Sequence, residues 1–92
     1  MWIKLKKYLF IFMGGPGTDC EEQRYVFHCK DMDQIVVGVP NMEKAIQVAK
    51  EFAEQVETLE FCGYFGKEGR DAKIATVLGN KYRVGAVKFV DD

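Results

Sequence analysis

The sequence is short of cysteine, proline and histidine. Its 92 residues include three cysteines, two prolines and one histidine. An odd number of cysteines without a CxxC pair argues against a disulfide framework, and it favours a reducing compartment, which predicts a cytoplasmic protein. The single histidine, His28, stands at no recognised ligand spacing from Cys20 and Cys29, so we expect no metal site. No motif for another cofactor is present, and we expect none.

The sequence also lacks an excess of either charge and a long apolar run. Thirteen Lys and Arg oppose 14 Asp and Glu, for a net charge of −1. A nucleic-acid binder would normally show a basic patch, so we expect no nucleic-acid partner. The apolar run at residues 8–13 is shorter than the roughly 7–15 residues of a secretory signal and than the roughly 18–20 of a membrane span. We therefore expect no membrane partner.

The length allows one domain, residues 1–92. Hydrophobic residues make up 48% and charged residues 29% of the chain, which is ordinary globular composition. A chain this short buries only about 60–65% of the surface it exposes when unfolded. Because the core is small, we expect a homodimer or larger homo-oligomer to bury the remaining apolar surface.

The hydrophobic pattern alternates between strands and helices. Residues 8–13 are apolar on both faces and end in a Gly-Gly-Pro-Gly loop, which predicts a central strand buried on both sides. Asn41 is a good N-cap for the amphipathic helix that follows. The later elements are, in order, a strand over 34–39, a helix over 42–56, a strand over 58–62, a helix over 68–78 and a strand over 82–90.

Residues 18–33 allow two interpretations. Thr18 and Glu21 have the spacing of a capping box, which would start a short helix. Residues 24–29 alternate like a strand, and residues 30–33 would then form a hairpin loop. We favour one turn of helix at most, followed by a strand, and keep the helix as the alternative for residues 19–29.

The element order predicts an α/β fold. Strands alternating with helices imply parallel pairing and right-handed crossovers. We expect one small domain with a mainly parallel or mixed sheet of four to five strands and two principal helices. In such sheets, ligands bind beyond the carboxyl ends of the strands.

Four segments give the sequence a family resemblance. They are the opening strand with its Gly/Pro loop, the strand-to-helix junction at 35–40, the segment 59–66 and the terminal strand at 84–87. Together they resemble a family of small, mostly bacterial proteins of unknown function, over essentially the whole chain. The most specific part is the Leu-Glu-x-Cys-Gly-x-Phe-Gly pattern at 59–66. Family members often have His and Gly where this sequence has Gln23 and Tyr64, which weakens any catalytic role for a histidine there. The resemblance implies no activity, substrate or cofactor.

Three loops follow the predicted parallel strands and should converge on one edge of the sheet. Gly15 and Gly17 follow the first strand, Asn41 follows the strand at 34–39, and Gly63, Phe65 and Gly66 follow the strand at 58–62. Free backbone amides at a helix N-terminus attract an anion, and glycine lets it approach closely. These six residues are the predicted ligand-binding residues for a small anionic metabolite. The alternative is that the glycines only permit tight turns.

Cys62 and Glu60 are the candidate catalytic residues. A cysteine at the end of a strand, facing a helix N-terminus, is placed to act as a thiolate nucleophile. Glu60 lies between apolar residues of a strand and is the best candidate for a general base. The alternatives are a buried structural cysteine and an ordinary salt bridge. The predicted function is therefore anion binding, with a cysteine-dependent enzyme or a structural or regulatory homo-oligomer as alternatives.

Overall fold

The chain folds into a mixed sheet with a helix packed on it. A computed structural model describes residues 6–63, and it describes residues 83–86 by their backbone. The elements are β1 (Lys6–Met13), β2 (Arg24–His28), β3 (Met32–Val39), α1 (Met42–Phe52), β4 (Thr58–Phe61) and β5 (Arg83–Ala86). The five strands lie in the order β2-β3-β1-β4-β5. The predicted helix at 68–78 lies outside the described residues.

Strand β1 occupies the centre of the sheet, as predicted. It pairs in parallel with β3 on one side and with β4 on the other, and Leu9 lies opposite both Ile35 and Leu59. β4 pairs in parallel with β5, whereas β2 runs antiparallel to β3 at the sheet edge. The sheet is therefore mixed, and the carboxyl ends of β1, β3 and β4 share one edge.

One face of the sheet carries the core. α1 buries Ala45, Val48 and Ala49 against this face. The strands contribute the fully or almost fully buried residues Leu9, Ile11, Val37, Val39, Leu59 and Phe61.

The opposite face of β1 is only half-buried. Tyr8, Phe10 and Phe12 alternate with the buried Leu9 and Ile11 and remain partly exposed. The prediction of a strand buried on both faces is therefore wrong for this face. Large aromatic side chains are often partly exposed, and their apolar character alone does not decide burial.

Helix α1 begins as predicted and ends earlier. The Asn41 side-chain oxygen accepts a hydrogen bond from the Lys44 amide at 2.9 Å, which caps the first turn. The helix ends at Phe52, not at residue 56. A turn follows, in which the Gln55 and Val56 amides donate to the Phe52 carbonyl at 2.8 and 3.2 Å, and the Glu57 amide then joins the sheet by donating to the Lys7 carbonyl at 2.9 Å. None of the helices in the described part of the chain is long and apolar enough to cross a bilayer.

The segment before β3 forms one turn and then a strand, which confirms the favoured interpretation. The Gln23 amide donates to the Asp19 carbonyl at 2.9 Å, and the Glu21 amide donates to the Asp19 side chain at 2.9 Å. Asp19, not Thr18, therefore caps this turn. The Thr18 side chain lies instead against Gly14, where it leaves no room for a Cβ atom.

The remaining strand boundaries differ from the sequence pattern by a few residues. β3 starts at Met32, not at residue 34, because the Cys29 amide donates to the Met32 carbonyl at 2.9 Å and closes a shorter hairpin loop. β4 ends at Phe61, one residue before Cys62. Of the predicted strand 82–90, residues 83–86 form β5, and residues 82 and 87–90 lie outside the described chain.

A close approach on the half-buried face requires glycine at position 38. Phe12 and Gly38 are partners in the β1–β3 ladder, and the Phe12 ring lies over Gly38. A Cβ atom added at Gly38 would lie 2.5 Å from Cζ of this ring. A larger residue at this position would therefore displace the Phe12 ring.

We predict that Gly38→Ala lowers the free energy of unfolding by about 1–3 kcal/mol, the usual cost of overpacking. Urea denaturation measures this cost. In a Phe12→Ala background the ring is absent, and the same substitution should cost less or even stabilise the strand. Equal costs in the two backgrounds would contradict the proposed contact.

Candidate functional site

The loop after β1 is held to the sheet edge through its backbone. The Gly14 amide donates to the Val39 carbonyl at 2.9 Å, which ties the ends of β1 and β3 together. The Thr18 amide donates to the Gly15 carbonyl at 3.0 Å and closes a turn. Gly15 has a φ of 96°, a conformation that other residues rarely adopt. The loop geometry thus depends on glycine at position 15.

A cleft of about 470 Å³ opens beside this loop. We call it the glycine-loop cleft. Its lining comprises Phe12, Gly14, Gly15, Pro16, Gly17, Thr18, Asp19, Glu22 and Gln23. Within the described part of the chain, the backbone amides of Gly15 and Gly17 have no hydrogen-bond partner. Two of the predicted ligand-binding residues therefore line one cleft and retain free donors.

The charged side chains that line the glycine-loop cleft are acidic. Asp19 and Glu22 contribute carboxylates, and no Lys, Arg or His of residues 6–63 joins them. Asp19 already accepts a hydrogen bond from the Glu21 amide. Two carboxylates repel a polyanion, so the cleft favours a ligand of low net charge that also donates hydrogen bonds.

A second cleft lies on the other side of the same turn, against α1. This helix cleft has a volume of about 440 Å³. Its lining comprises Thr18, Asp19, Cys20, Glu21, Pro40, Lys44, Gln47, Val48 and Glu51. Lys44 is its one cation among the described residues, and its ammonium group donates to the Gln47 side chain at 3.3 Å. The turn from Asp19 to Gln23 therefore separates two acidic clefts.

Arg24 fastens this turn to α1. Its guanidinium donates to both carboxylate oxygens of Glu51, at 2.5 and 3.0 Å, and its Nε donates to the Cys20 carbonyl at 2.7 Å. A weaker contact of 3.3 Å reaches Glu21. The guanidinium also lies 5.3 Å from the centre of the Phe52 ring, within the range of a cation–π interaction. A forked, stacked contact of this kind suits arginine and not lysine.

The hydrogen bond from Arg24 lowers the pKa of the Glu51 carboxyl below its ordinary value. Partial burial opposes this effect, and the charge of Arg24 adds to it. The Glu51 side chain is 47% exposed, so water screens the interaction and limits its contribution to stability. The ion pair thus stabilises the fold only modestly, and only while Glu51 is ionised.

Cys62 lies where the sequence predicted, just past the end of β4. Its amide donates to the Ile11 carbonyl at 3.0 Å, and its sulfur accepts a hydrogen bond from the Met13 amide at 3.2 Å. The side chain is half-buried and packs against the core. These contacts hold the thiol between the ends of β1 and β4.

The other predicted residues lie at the expected edge or beyond the described chain. Asn41 follows β3, but its side-chain oxygen caps α1, and it lines neither cleft. Gly63 follows Cys62 and is buried. Glu60 is an exposed residue of β4, and no hydrogen bond joins it to Cys62. Phe65 and Gly66 lie outside the described residues.

Cys62 lies at the carboxyl ends of β1, β3 and β4, whereas His28 lies near the amino ends of these strands. Its Nδ1 is 2.8 Å from a carboxylate oxygen of Asp33, near the start of β3. Because β2 is antiparallel, its carboxyl end and the carboxyl end of β4 point in opposite directions. His28 therefore cannot act as a base for Cys62 within one chain. Among the described residues, no group of three His, Cys, Asp or Glu side chains is placed to hold a metal ion.

Much of the lining of the glycine-loop cleft does not follow from the sequence pattern. Asp19, Glu22 and Gln23 contribute to it because one helical turn folds them back over the loop. The signal for Asp19 was available, since Asp often caps turns through its side chain. Phe12 belongs to the predicted first strand, but nothing in its neighbours indicated that it would line a cleft.

Comparison with known proteins identifies the family and nothing more specific. The chain belongs to the family of unknown function DUF6506, whose family model matches residues 6–92. No curated protein matches the chain, and no solved structure matches it. The resemblance to a family without an assigned activity is thus confirmed. The specific pattern at 59–66 and the mostly bacterial origin stay predictions.

The Arg24–Glu51 ion pair should make stability depend on pH. Because the pKa of Glu51 is lowered in the folded protein, its contribution is present above about pH 4.5 and is lost as the pH falls through the lowered value. Glu51→Gln should cost up to about 1 kcal/mol at neutral pH. The difference between wild type and variant should shrink in acid, as urea denaturation at several pH values can measure.

The control for this experiment is Glu57→Gln. It removes an exposed carboxylate that takes part in no ion pair of the described structure. A stability difference for Glu51→Gln that is constant from about pH 6 to about pH 3 would contradict the assigned role of the pair.

Proposed function

We propose that this protein binds a small metabolite with an anionic group in the glycine-loop cleft. The observation that carries the proposal is the coincidence of a 470 Å³ cleft with two unpartnered backbone amides at the carboxyl edge of a parallel sheet. Ligands of α/β proteins bind at this edge. The volume falls within the range of small-molecule sites, about 300–1,000 Å³.

The lining narrows the ligand class. The amides of Gly15 and Gly17 are donors for a carboxylate or a single phosphate. The carboxylates of Asp19 and Glu22 are acceptors for amino or hydroxyl groups on the same ligand. The Phe12 ring offers an apolar surface for its carbon atoms. An amino acid or a hydroxy acid fits these requirements, and a polyphosphate does not.

The cysteines of the chain bear on the compartment in which this function takes place. Cys20, Cys29 and Cys62 are free thiols, which suits the reducing cytoplasm that we propose as the location of this protein.

The sequence places Phe65 and Gly66 in the loop after Cys62, and we propose that Gly63, Phe65 and Gly66 contribute to ligand binding from the side of β4. Asn41 lines neither cleft, and we propose that its contribution is indirect, through the capped N-terminus of α1 at the same sheet edge.

A thermal-shift screen tests the proposal. The probes are amino acids, hydroxy acids and inorganic phosphate. A ligand that binds only the folded protein, at 100 times its dissociation constant, stabilises it by about 2.7 kcal/mol and raises the Tm. We expect an amino or hydroxy acid to raise the Tm and inorganic phosphate to have a smaller effect.

Matched variants locate the effect. Gly17→Leu adds bulk to the glycine-loop cleft, where a Cβ atom meets nothing within 4 Å and φ is not positive. Gln47→Leu adds the same side chain to the helix cleft. The first variant should abolish the shift and the second should preserve it. No shift with any probe, or a shift that survives Gly17→Leu, would refute the proposal.

A cysteine-dependent activity is the alternative function. It is favoured by one observation: the Cys62 sulfur lies at the same sheet edge and accepts the Met13 amide at 3.2 Å. Glu60 or a group from another subunit would have to serve as the base. A structural or regulatory homo-oligomer without a small ligand is the third possibility.

Alkylation with iodoacetamide separates the first two functions. Two double variants each leave one of the thiols to be compared: Cys20→Ser/Cys29→Ser leaves Cys62, and Cys20→Ser/Cys62→Ser leaves the exposed Cys29. We predict that Cys62 reacts more slowly than Cys29, because the Cys62 sulfur is half-buried and hydrogen-bonded. Mass spectrometry over time gives the rates. A Cys62 that reacts faster than Cys29 would favour the enzyme, since a nucleophile has to be both reactive and accessible.

A further inference from the structure

Strand β2, the outermost strand on the β3 side of the sheet, exposes large apolar side chains. Tyr25, Val26 and Phe27 of β2 are 47%, 50% and 57% exposed, and they are the large hydrophobic residues with the greatest exposure in the described chain. No described strand pairs with the outer side of β2. An exposed edge of this kind is a template for another strand, and soluble proteins usually protect it.

The usual protection is absent from β2. Edge strands are commonly blocked by lysine, proline or a bulge, and β2 has none of these. Its two basic residues are already paired with carboxylates of the same chain, Arg24 with Glu51 and His28 with Asp33. Neither side chain therefore presents an uncompensated charge to an approaching strand.

The free hydrogen-bonding groups of β2 lie on alternate residues. The Gly38 amide donates to the Gln23 carbonyl, and the Cys29 amide donates to the Met32 carbonyl, so Gln23 and Cys29 both face β3. In an antiparallel ladder the residues facing one neighbour alternate with those facing the other side. Arg24, Val26 and His28 therefore direct their backbone N–H and C=O groups outward.

We propose that two copies of this chain form a symmetric dimer by antiparallel pairing of their β2 strands, centred on Val26. A two-fold axis at this residue pairs Val26 with its own copy and places Arg24 opposite His28. The outward backbone groups of all three residues are then satisfied in both copies. The result is one continuous sheet through the dimer.

The side chains complement one another in this register. Tyr25 of each copy lies opposite Phe27 of the other, in the type of pair where side chains approach most closely. Aromatic cross-strand pairs of this type stabilise sheets. A strand with the order Tyr-Val-Phe is thus self-complementary about its central residue.

Sedimentation velocity over a range of micromolar concentrations tests the proposal. We expect a concentration-dependent dimer for the wild type, since a short strand pair buries less surface than a permanent interface. Val26→Lys, which places two ammonium groups face to face, should give a monomer. Gln55→Lys makes a similar change of charge at an exposed residue after α1 and should leave the dimer intact.

Disulfide trapping tests the register. Two Val26 residues in a hydrogen-bonded pair have Cα atoms about 5.5 Å apart, which suits a disulfide. In a Cys20→Ser/Cys29→Ser background, Val26→Cys should form a covalent dimer on oxidation, and Tyr25→Cys should do so far more slowly. Circular dichroism confirms that each variant is folded. A monomer at every concentration, a dimer that survives Val26→Lys, or faster trapping through Tyr25→Cys would overturn the proposal.

Discussion

The parallel pairing of β1 with both of its neighbours is the constraint on which the described structure depends. Leu9 and Ile11, at 1% and 0% exposure, lie between buried residues of β3 on one side and of β4 on the other. A shift by one residue would turn this whole row to the half-buried face, so the register is strongly specified. Three strand ends, and with them the loop, the start of α1 and Cys62, are thereby brought to one edge.

The turn from Asp19 to Gln23 decides what kind of chemistry this edge offers. It contributes carboxylates to both clefts, whereas the β1 loop contributes backbone donors. Donors and acceptors therefore line the glycine-loop cleft from two different segments. Arg24 holds the turn against α1, so the shape of the edge depends on a contact between an edge strand and the helix. An anion site built on glycine amides alone would have accepted ligands of higher charge.

The sequence predicted the elements that have strong periodicity or a clear cap. The central strand, the Asn41 cap and the convergence of three strand ends required only hydrophobic pattern and the rules of parallel sheets. The end of α1 could not be predicted, because the helical spacing of apolar residues continues through the turn that follows Phe52, before the Glu57 amide joins the sheet at Lys7. The spacing of Thr18 to Glu21 allows a capping box, one of two interpretations of this segment, whereas the Thr18 side chain packs against Gly14 and Asp19 caps the turn. The acidity of the clefts depended on the fold of this turn and was invisible in the net charge.

The backbone anchoring of the β1 loop has a consequence for the diversity of such proteins. Gly14 is bound to Val39 by main-chain atoms, and Gly15 sets the path of the chain. A Cβ atom added at Gly17 would meet nothing within 4 Å, so this position has room for a larger residue. Related chains can therefore exchange residues at such places and alter the selectivity of the proposed ligand site, while the scaffold beneath stays unchanged. Selectivity in this architecture is separable from stability, and each can evolve at its own pace.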